Sequence, residues 1–209
     1  MRHPALIFDF GKVLVDWDPR HLYQKFFPDD PAAMERFLTE VQFYNWVRQT
    51  DSGRPFTETI NEWCACYPNY CKLIRSYDER YEESIIGPIQ GTVEILHSLK
   101  EAGYPLYGLS NWPQEKYLII RPKFDFFDWF DDILISGEVK LAKPDPKIFQ
   151  LLLERIQRKP EDCLLIDDSQ ENIRVAAHLG FQTILFTNPE DLHFTLSGYI
   201  PNLETIRSF

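Results

Sequence analysis

Asp9 closes the apolar run Ala5-Leu6-Ile7-Phe8, and Gly11 follows two residues later. Asp167 and Asp168 close a second apolar run, Cys163 to Ile166. A third run, Tyr104 to Leu109, ends in Ser110 and Asn111, and Lys143 stands just before Pro144, Asp145 and Pro146. Short apolar runs ending in polar and turn-forming residues read as buried strands that deliver side chains to the end of a sheet. In a parallel sheet all carboxyl ends lie along one edge, where open α/β sheets bind ligands. These groups can therefore meet although they are far apart in the chain. Each also has a plainer use: Asp9 as a turn residue, Ser110 as a helix cap, Asp167 and Asp168 as cap and dipole partner.

If Asp9, Asp167 and Asp168 do meet, their charges must be compensated. Two carboxylates about 4 Å apart repel by about 4 kcal/mol at an effective dielectric near 20. An all-oxygen ligand set of this kind suits Mg²⁺, which keeps several waters and takes a phosphate oxygen readily. Lys143 would add a second positive centre. The chemistry expected of such a group is phosphoryl handling.

The elements that must position these residues alternate. Thr92 to Ala102, Gln114 to Lys123, Pro146 to Arg155 and Asn172 to Leu179 read as helices. Between and around them lie strands at Tyr104 to Leu109, Asp132 to Ser136, Cys163 to Ile166 and Thr183 to Phe186. Strands separated by helices of this length predict an α/β fold with a doubly wound, mainly parallel sheet. From Pro19 to Ile86 the pattern is helical throughout: Arg20 to Phe27, Pro31 to Val41, Thr57 to Cys66 and Tyr70 to Glu83. No strand is expected there, Asp29 or Asp30 would cap the second helix, and the tail from Asn188 carries no clear pattern.

The 209 residues hold 22 Lys and Arg against 32 Asp and Glu, a formal charge of −10 that argues against nucleic acid or anionic lipid as partner. Any phosphate must be held by a few placed cations. No apolar run reaches the roughly 20 residues a membrane helix needs. The first strand begins almost at the N-terminus, so a cytoplasmic protein is expected. Cys64, Cys66, Cys71 and Cys163 lack a familiar metal-ligand spacing and read as free buried thiols.

The four polar stretches resemble, in order, the four motifs of the haloacid dehalogenase-like hydrolase superfamily: Asp9-Phe10-Gly11-Lys12-Val13-Leu14, Leu109-Ser110-Asn111, Lys143-Pro144-Asp145-Pro146 and Ile166-Asp167-Asp168-Ser169. The subgroup with glycine two residues after the nucleophile is similar to bacterial α-D-glucose 1-phosphate phosphatases. The resemblance implies a Rossmann-like catalytic core, residues 1–18 and 87–209, with an inserted all-helical cap at 19–86. It further implies that Asp9 is the nucleophile and forms an aspartyl-phosphate. Asp9, the Gly11 carbonyl and Asp168 would hold Mg²⁺, with Asp167 reaching the ion through water. Ser110 and Asn111 would bind the phosphoryl oxygens, and Lys143 would neutralise both nucleophile and substrate. The substrate would be a small phosphorylated metabolite, a sugar phosphate by analogy.

One position departs from the motif. Most phosphatases of the superfamily carry a second Asp where this chain has Gly11, as general acid and then base. Either the leaving group needs little help or the cap supplies the donor, with Tyr44 as one candidate. The 2-haloacid dehalogenases also lack that Asp, so a metal-independent attack of Asp9 on carbon is an alternative. Asp167 and Asp168 weigh against it, because they would repel a carboxylate substrate. A non-catalytic binding protein on the same fold is a further alternative. Phe43, Tyr44, Trp46 and Arg48 are candidates for a substrate-facing lip, whereas Trp63, Tyr67 and Tyr70 are expected in the cap interior.

Overall fold

A computed structural model of the chain describes residues 3–200. Its strands are β1 (Ala5–Phe8), β2 (Val15–Trp17), β3 (Ile85–Pro88), β4 (Leu106–Ser110), β5 (Asp132–Ile135), β6 (Cys163–Asp167) and β7 (Gln182–Leu185). Five of them form a parallel sheet in the order β5-β4-β1-β6-β7. The doubly wound α/β expectation holds. β1 is central and all four of its residues are fully buried. Leu6 and Phe8 join one apolar cluster while Ala5 and Ile7 join another on the opposite face. Burial on both faces is why the run shows no alternation of apolar and polar residues.

Sheet order reverses at β1, whose neighbours β4 and β6 come later in the chain. The residues just beyond these three strands therefore share the crevice at a topological switch point. Helices Gln90–Glu101, Gln114–Ile120, Pro146–Ile156 and Gln170–His178 cover the sheet. Two start with side-chain caps: Asp145 accepts from the Lys147 amide and Ser169, rather than Asp167 or Asp168, accepts from the Asn172 amide. A helix at Pro189–Tyr199, capped by Asn188, occupies the tail in which no pattern was read.

Between β2 and β3 the chain is helical: Pro19–Tyr23, Pro31–Glu40, Phe43–Asp51, Phe56–Cys66 and Cys71–Glu79. Asp30 caps the second of these through the Ala33 amide. Tyr23, Phe37, Phe43, Trp46, Phe56 and Tyr77 are almost fully buried and form its aromatic centre. Trp63, Tyr67 and Tyr70 pack against that cluster, as expected.

Three readings need correction. The stretch before Gly87 is not all helix, because Ile85 already begins β3, which pairs antiparallel with β2. Gly87 and Pro88 read as breakers by themselves. In a two-stranded ribbon every strand is an edge, and there a proline without an N–H is tolerated. The first and last helices of the insert are shorter than their apolar spacing suggests, and the last gives way to a 3₁₀ turn at Tyr81–Ser84. The cysteines are not all free buried thiols. The turn Pro68–Tyr70 brings the ends of two helices together, and Cys64 is disulfide-bonded to Cys71 with Cα atoms 4.4 Å apart. Cys66 is exposed, and Cys163 remains free and buried.

Candidate active site

Asp9 follows directly after β1 and its amide donates to the Ile166 carbonyl of β6 at 2.9 Å. One carboxylate oxygen accepts from the Phe10 amide at 2.7 Å, and the other pairs with Lys143 Nζ at 2.9 Å. The chain then turns sharply. Lys12 takes a left-handed conformation, with φ of 61°, and the amides of Leu14 and Val15 both donate to the Phe10 carbonyl. Phe10 is wholly buried against Trp112, Tyr117, Phe127 and Phe130. Gly108 of β4 makes room for it, since a Cβ there would lie 2.4 Å from Phe10 Cζ.

The Lys143 ammonium is fully enclosed and donates to three oxygens: Asp167 Oδ2 at 2.7 Å, the Leu109 carbonyl at 2.8 Å and Asp9 Oδ2 at 2.9 Å. An ammonium has three N–H donors, so its capacity is filled. Burial works against this charge, but Asp167 and Asp9 outweigh it and lift the ammonium above its ordinary value. Asp167 is itself wholly buried, and accepts from the Ser169 amide and from Asn172 Nδ2 as well.

Oxygens of Asp9, Asp167 and Asp168 all lie within 4.8 Å of one another. Burial raises the Asp9 carboxyl to about 7, opposed by Lys143 and reinforced by Asp167 and Asp168. Asp168 is raised in the same sense by burial and by Asp167. Three acids thus share one lysine, whose donors are already committed. Beside them opens a cavity of about 350 Å³ lined by Asp9, Gly11, Ser110, Asn111 and Asp168 from the sheet edge, and by Arg48 and Asp51 from the insert.

Asp9, Gly11, Ser110, Asn111, Lys143, Asp167 and Asp168 thus all lie at this edge, though not all in the expected posture. The Asn111 side chain is engaged at both ends by the Lys143 backbone, at 2.8 Å each way. Of the lip candidates, Tyr44 and Arg48 line the cavity, whereas Phe43 and Trp46 are buried in the insert. The hydroxyl of Tyr44 accepts from Arg20 at 3.1 Å.

The profile of the haloacid dehalogenase-like hydrolases matches residues 3–180. The chain belongs to that family. Among its relatives, the phosphorylated carbohydrates phosphatase of Thermotoga maritima is 26% identical over 181 residues, covering 86% of this chain and 83% of that one. The D-ribitol-5-phosphate phosphatase of Bacteroides thetaiotaomicron is 23% identical over 196 residues, covering 89% and 93%. A solved haloacid dehalogenase-family enzyme from Bacteroides thetaiotaomicron, in complex with magnesium and inorganic phosphate, superposes with a TM-score of 0.65 at 24% identity, covering 89% and 95%.

In this hydrolase the donor set fits a hard divalent cation. It offers carboxylate oxygens from three residues within 4.8 Å of one another, and burial, reinforced by the neighbouring acids, raises Asp9 and Asp168, so that a bound cation would favour their ionised, ligating forms. Asp51, at the end of the helix Phe43–Asp51, also faces this cavity, and nothing in its local sequence pattern tells that helix end from any other.

Proposed function

We propose that this hydrolase is a Mg²⁺-dependent phosphatase that cleaves a small phosphomonoester, with sugar and polyol phosphates as the substrate class. The observation that carries the reading is the meeting of three acids and one enclosed lysine at the sheet's switch point. Residues 1–18 and 87–209 serve as the catalytic core, and 19–86 as a cap over the cavity. The similarity to the Thermotoga and Bacteroides phosphatases supports the substrate class.

Asp9 is the nucleophile. A carboxylate oxygen of Asp9 attacks phosphorus, the bond to the leaving oxygen breaks, and an aspartyl-phosphate forms; water then cleaves the acyl phosphate. Lys143 favours the ionised form of Asp9 and holds it in place, and contributes charge rather than a spare hydrogen bond. Asn111 holds the Lys143 loop, and Ser110 binds a phosphoryl oxygen. Asp9, Asp168 and the Gly11 carbonyl would hold Mg²⁺, with Asp167 behind them. When bound, the ion offsets the carboxylate charges and the charge of the phosphoryl oxygens.

Gly11 in place of the usual second Asp favours one rival, a metal-independent 2-haloacid dehalogenase. A substrate carboxylate would there face Asp167 and Asp168 as well as Asp9, which counts against it. The deciding experiment assays phosphate release from p-nitrophenyl phosphate and a panel of sugar phosphates, with Mg²⁺ and then with EDTA. Metal-dependent release is expected. Chloride release from 2-chloropropionate in EDTA, without phosphatase activity, selects the rival, and silence in both assays selects a binding protein.

A further inference from the structure

We propose that Asp51, the last residue of the helix Phe43–Asp51, is the general acid and base of the reaction, supplied from the insert where the first motif has Gly11. This rests on the phosphatase reading. Asp51 lines the cavity that also holds Asp9, Ser110 and Asp168. Its position is set by the core. The Ser136 hydroxyl, just after β5, donates to the Asp51 carbonyl at 2.5 Å and accepts from the Trp112 amide at 2.9 Å. Two residues on, Gly53 has φ of +87° and lies so close to the core that a Cβ would be 2.8 Å from Lys140 Cγ and 3.0 Å from the Gly137 carbonyl. The insert is therefore seated on the core at this point, and the acid stands over the strand ends.

Among the described residues no hydrogen bond fixes the Asp51 carboxyl. The charged and titratable groups around it are Asp9, Lys143 and Arg48, with the Tyr77 and Tyr81 phenols on the facing elements. Burial, then the charge of Asp9, pushes it well above the carboxylate range, with Lys143 and Arg48 pulling the other way. The shift favours the protonated form, from which a leaving oxygen can take the proton. The other donors in the cavity serve less well. Burial pushes Tyr77 and Tyr81 above the usual phenol value, and Tyr44 is 41% exposed with its oxygen on Arg20.

The proton balance closes over two steps. As Asp9 bonds to phosphorus, the leaving oxygen takes the Asp51 proton and departs as an alcohol, leaving Asp51 ionised. Asp51 then takes a proton from the incoming water as its oxygen attacks phosphorus. The bond from Asp9 to phosphorus breaks, releasing phosphate and restoring both side chains.

The test compares leaving groups. With 2,4-dinitrophenyl phosphate and Mg²⁺, Asp51→Asn should release one equivalent of dinitrophenolate in a burst and then stall, with phosphorylated enzyme visible by intact mass. Steady turnover should fall by roughly 10²–10⁴-fold, the usual worth of a general acid–base. With glycerol 1-phosphate the same variant should show no burst, because the alkoxide cannot leave unprotonated. Asp51→Ser gives the same expectation by a second route, and Asp51→Glu should retain most activity. A Cβ on Gly11 would meet nothing within 4 Å, so Gly11→Asp in the Asp51→Asn background should recover at least about tenfold of the loss.

Equal losses on both esters without a burst, or a rise in KM alone, overturn the role of Asp51 while leaving the phosphatase standing. A wild-type enzyme silent on every phosphate ester overturns the phosphatase and this role together.

Discussion

Asn111 and the backbone of Lys143 grip each other in both directions: Nδ2 donates to the Lys143 carbonyl and Oδ1 accepts from its amide, each at 2.8 Å. The end of β4 is thereby fastened to the loop that carries the lysine. Asn111→Ala removes both bonds and should cost roughly 1–3 kcal/mol of stability. It should also lower kcat by about 10²-fold, since a displacement near 1 Å at a reacting centre has that effect. Melting curves and steady-state kinetics check both, and an unchanged kcat would mean that the lysine loop keeps its place without Asn111.

Asp9→Asn should lower turnover by roughly 10⁴–10⁶-fold, as loss of a nucleophile does elsewhere. In EDTA at pH 8 its melting temperature should be at least that of the wild type. The native acid is held about 7 by burial and the neighbouring acids, and its ionisation in the enclosed site is unfavourable. A variant that turns over at the wild-type rate would move the chemistry to another residue.

The same shift fixes a pH dependence for the metal-free protein. Asp9 ionises near 3.8 when unfolded and at about 7 when folded, so its contribution to stability is complete below about 4 and is lost as pH rises to about 7. Asp168 acts in the same direction. Mg²⁺ competes with these protons, so the rise in melting temperature on adding Mg²⁺ should be larger at pH 8 than at pH 5. Asp168→Ala should shrink that rise and weaken the metal dependence of turnover together. An equal rise at both pH values, or a variant with the wild-type metal titration, would remove Asp168 from the ligand set.

Gly108→Ala tests how firmly the ring beside Asp9 is seated. The added methyl would approach Phe10 Cζ to 2.4 Å and Ile133 Cγ1 to 3.2 Å, and that ring is fully buried. Overpacking of this kind should cost roughly 1–3 kcal/mol. Because Phe10 adjoins Asp9, kcat should fall as well. Denaturant unfolding and kinetics read the two effects, and a neutral substitution would mean that the ring moves aside freely.

Much of this was legible in the chain. The strands of the sheet declared themselves because burial on both faces demands short unbroken apolar runs, and their polar ends marked the edge where ligands bind. Asp9, Lys143, Asp167 and Asp168 could be picked out because a parallel sheet brings its carboxyl ends to one edge whatever the sequence separation. The ribbon of β2 and β3 was hidden, because its pairing joins residues some 70 apart, and Gly87 and Pro88 signal only an interruption.

What the sequence by itself determined is the parallel sheet, the edge at which its strands end and the identity of the residues gathered there, since these follow from hydrophobic pattern, strand ends and the order of the four motifs. Only the tertiary structure decided how those residues are used. Lys143 has its donors filled, Asn111 is turned to the lysine loop, and Asp51 is brought over the cavity by a hydroxyl 85 positions away. The reason is physical: a side chain's partners and its proton affinity depend on what is packed around it, and here that packing joins stretches of chain between which no local pattern passes.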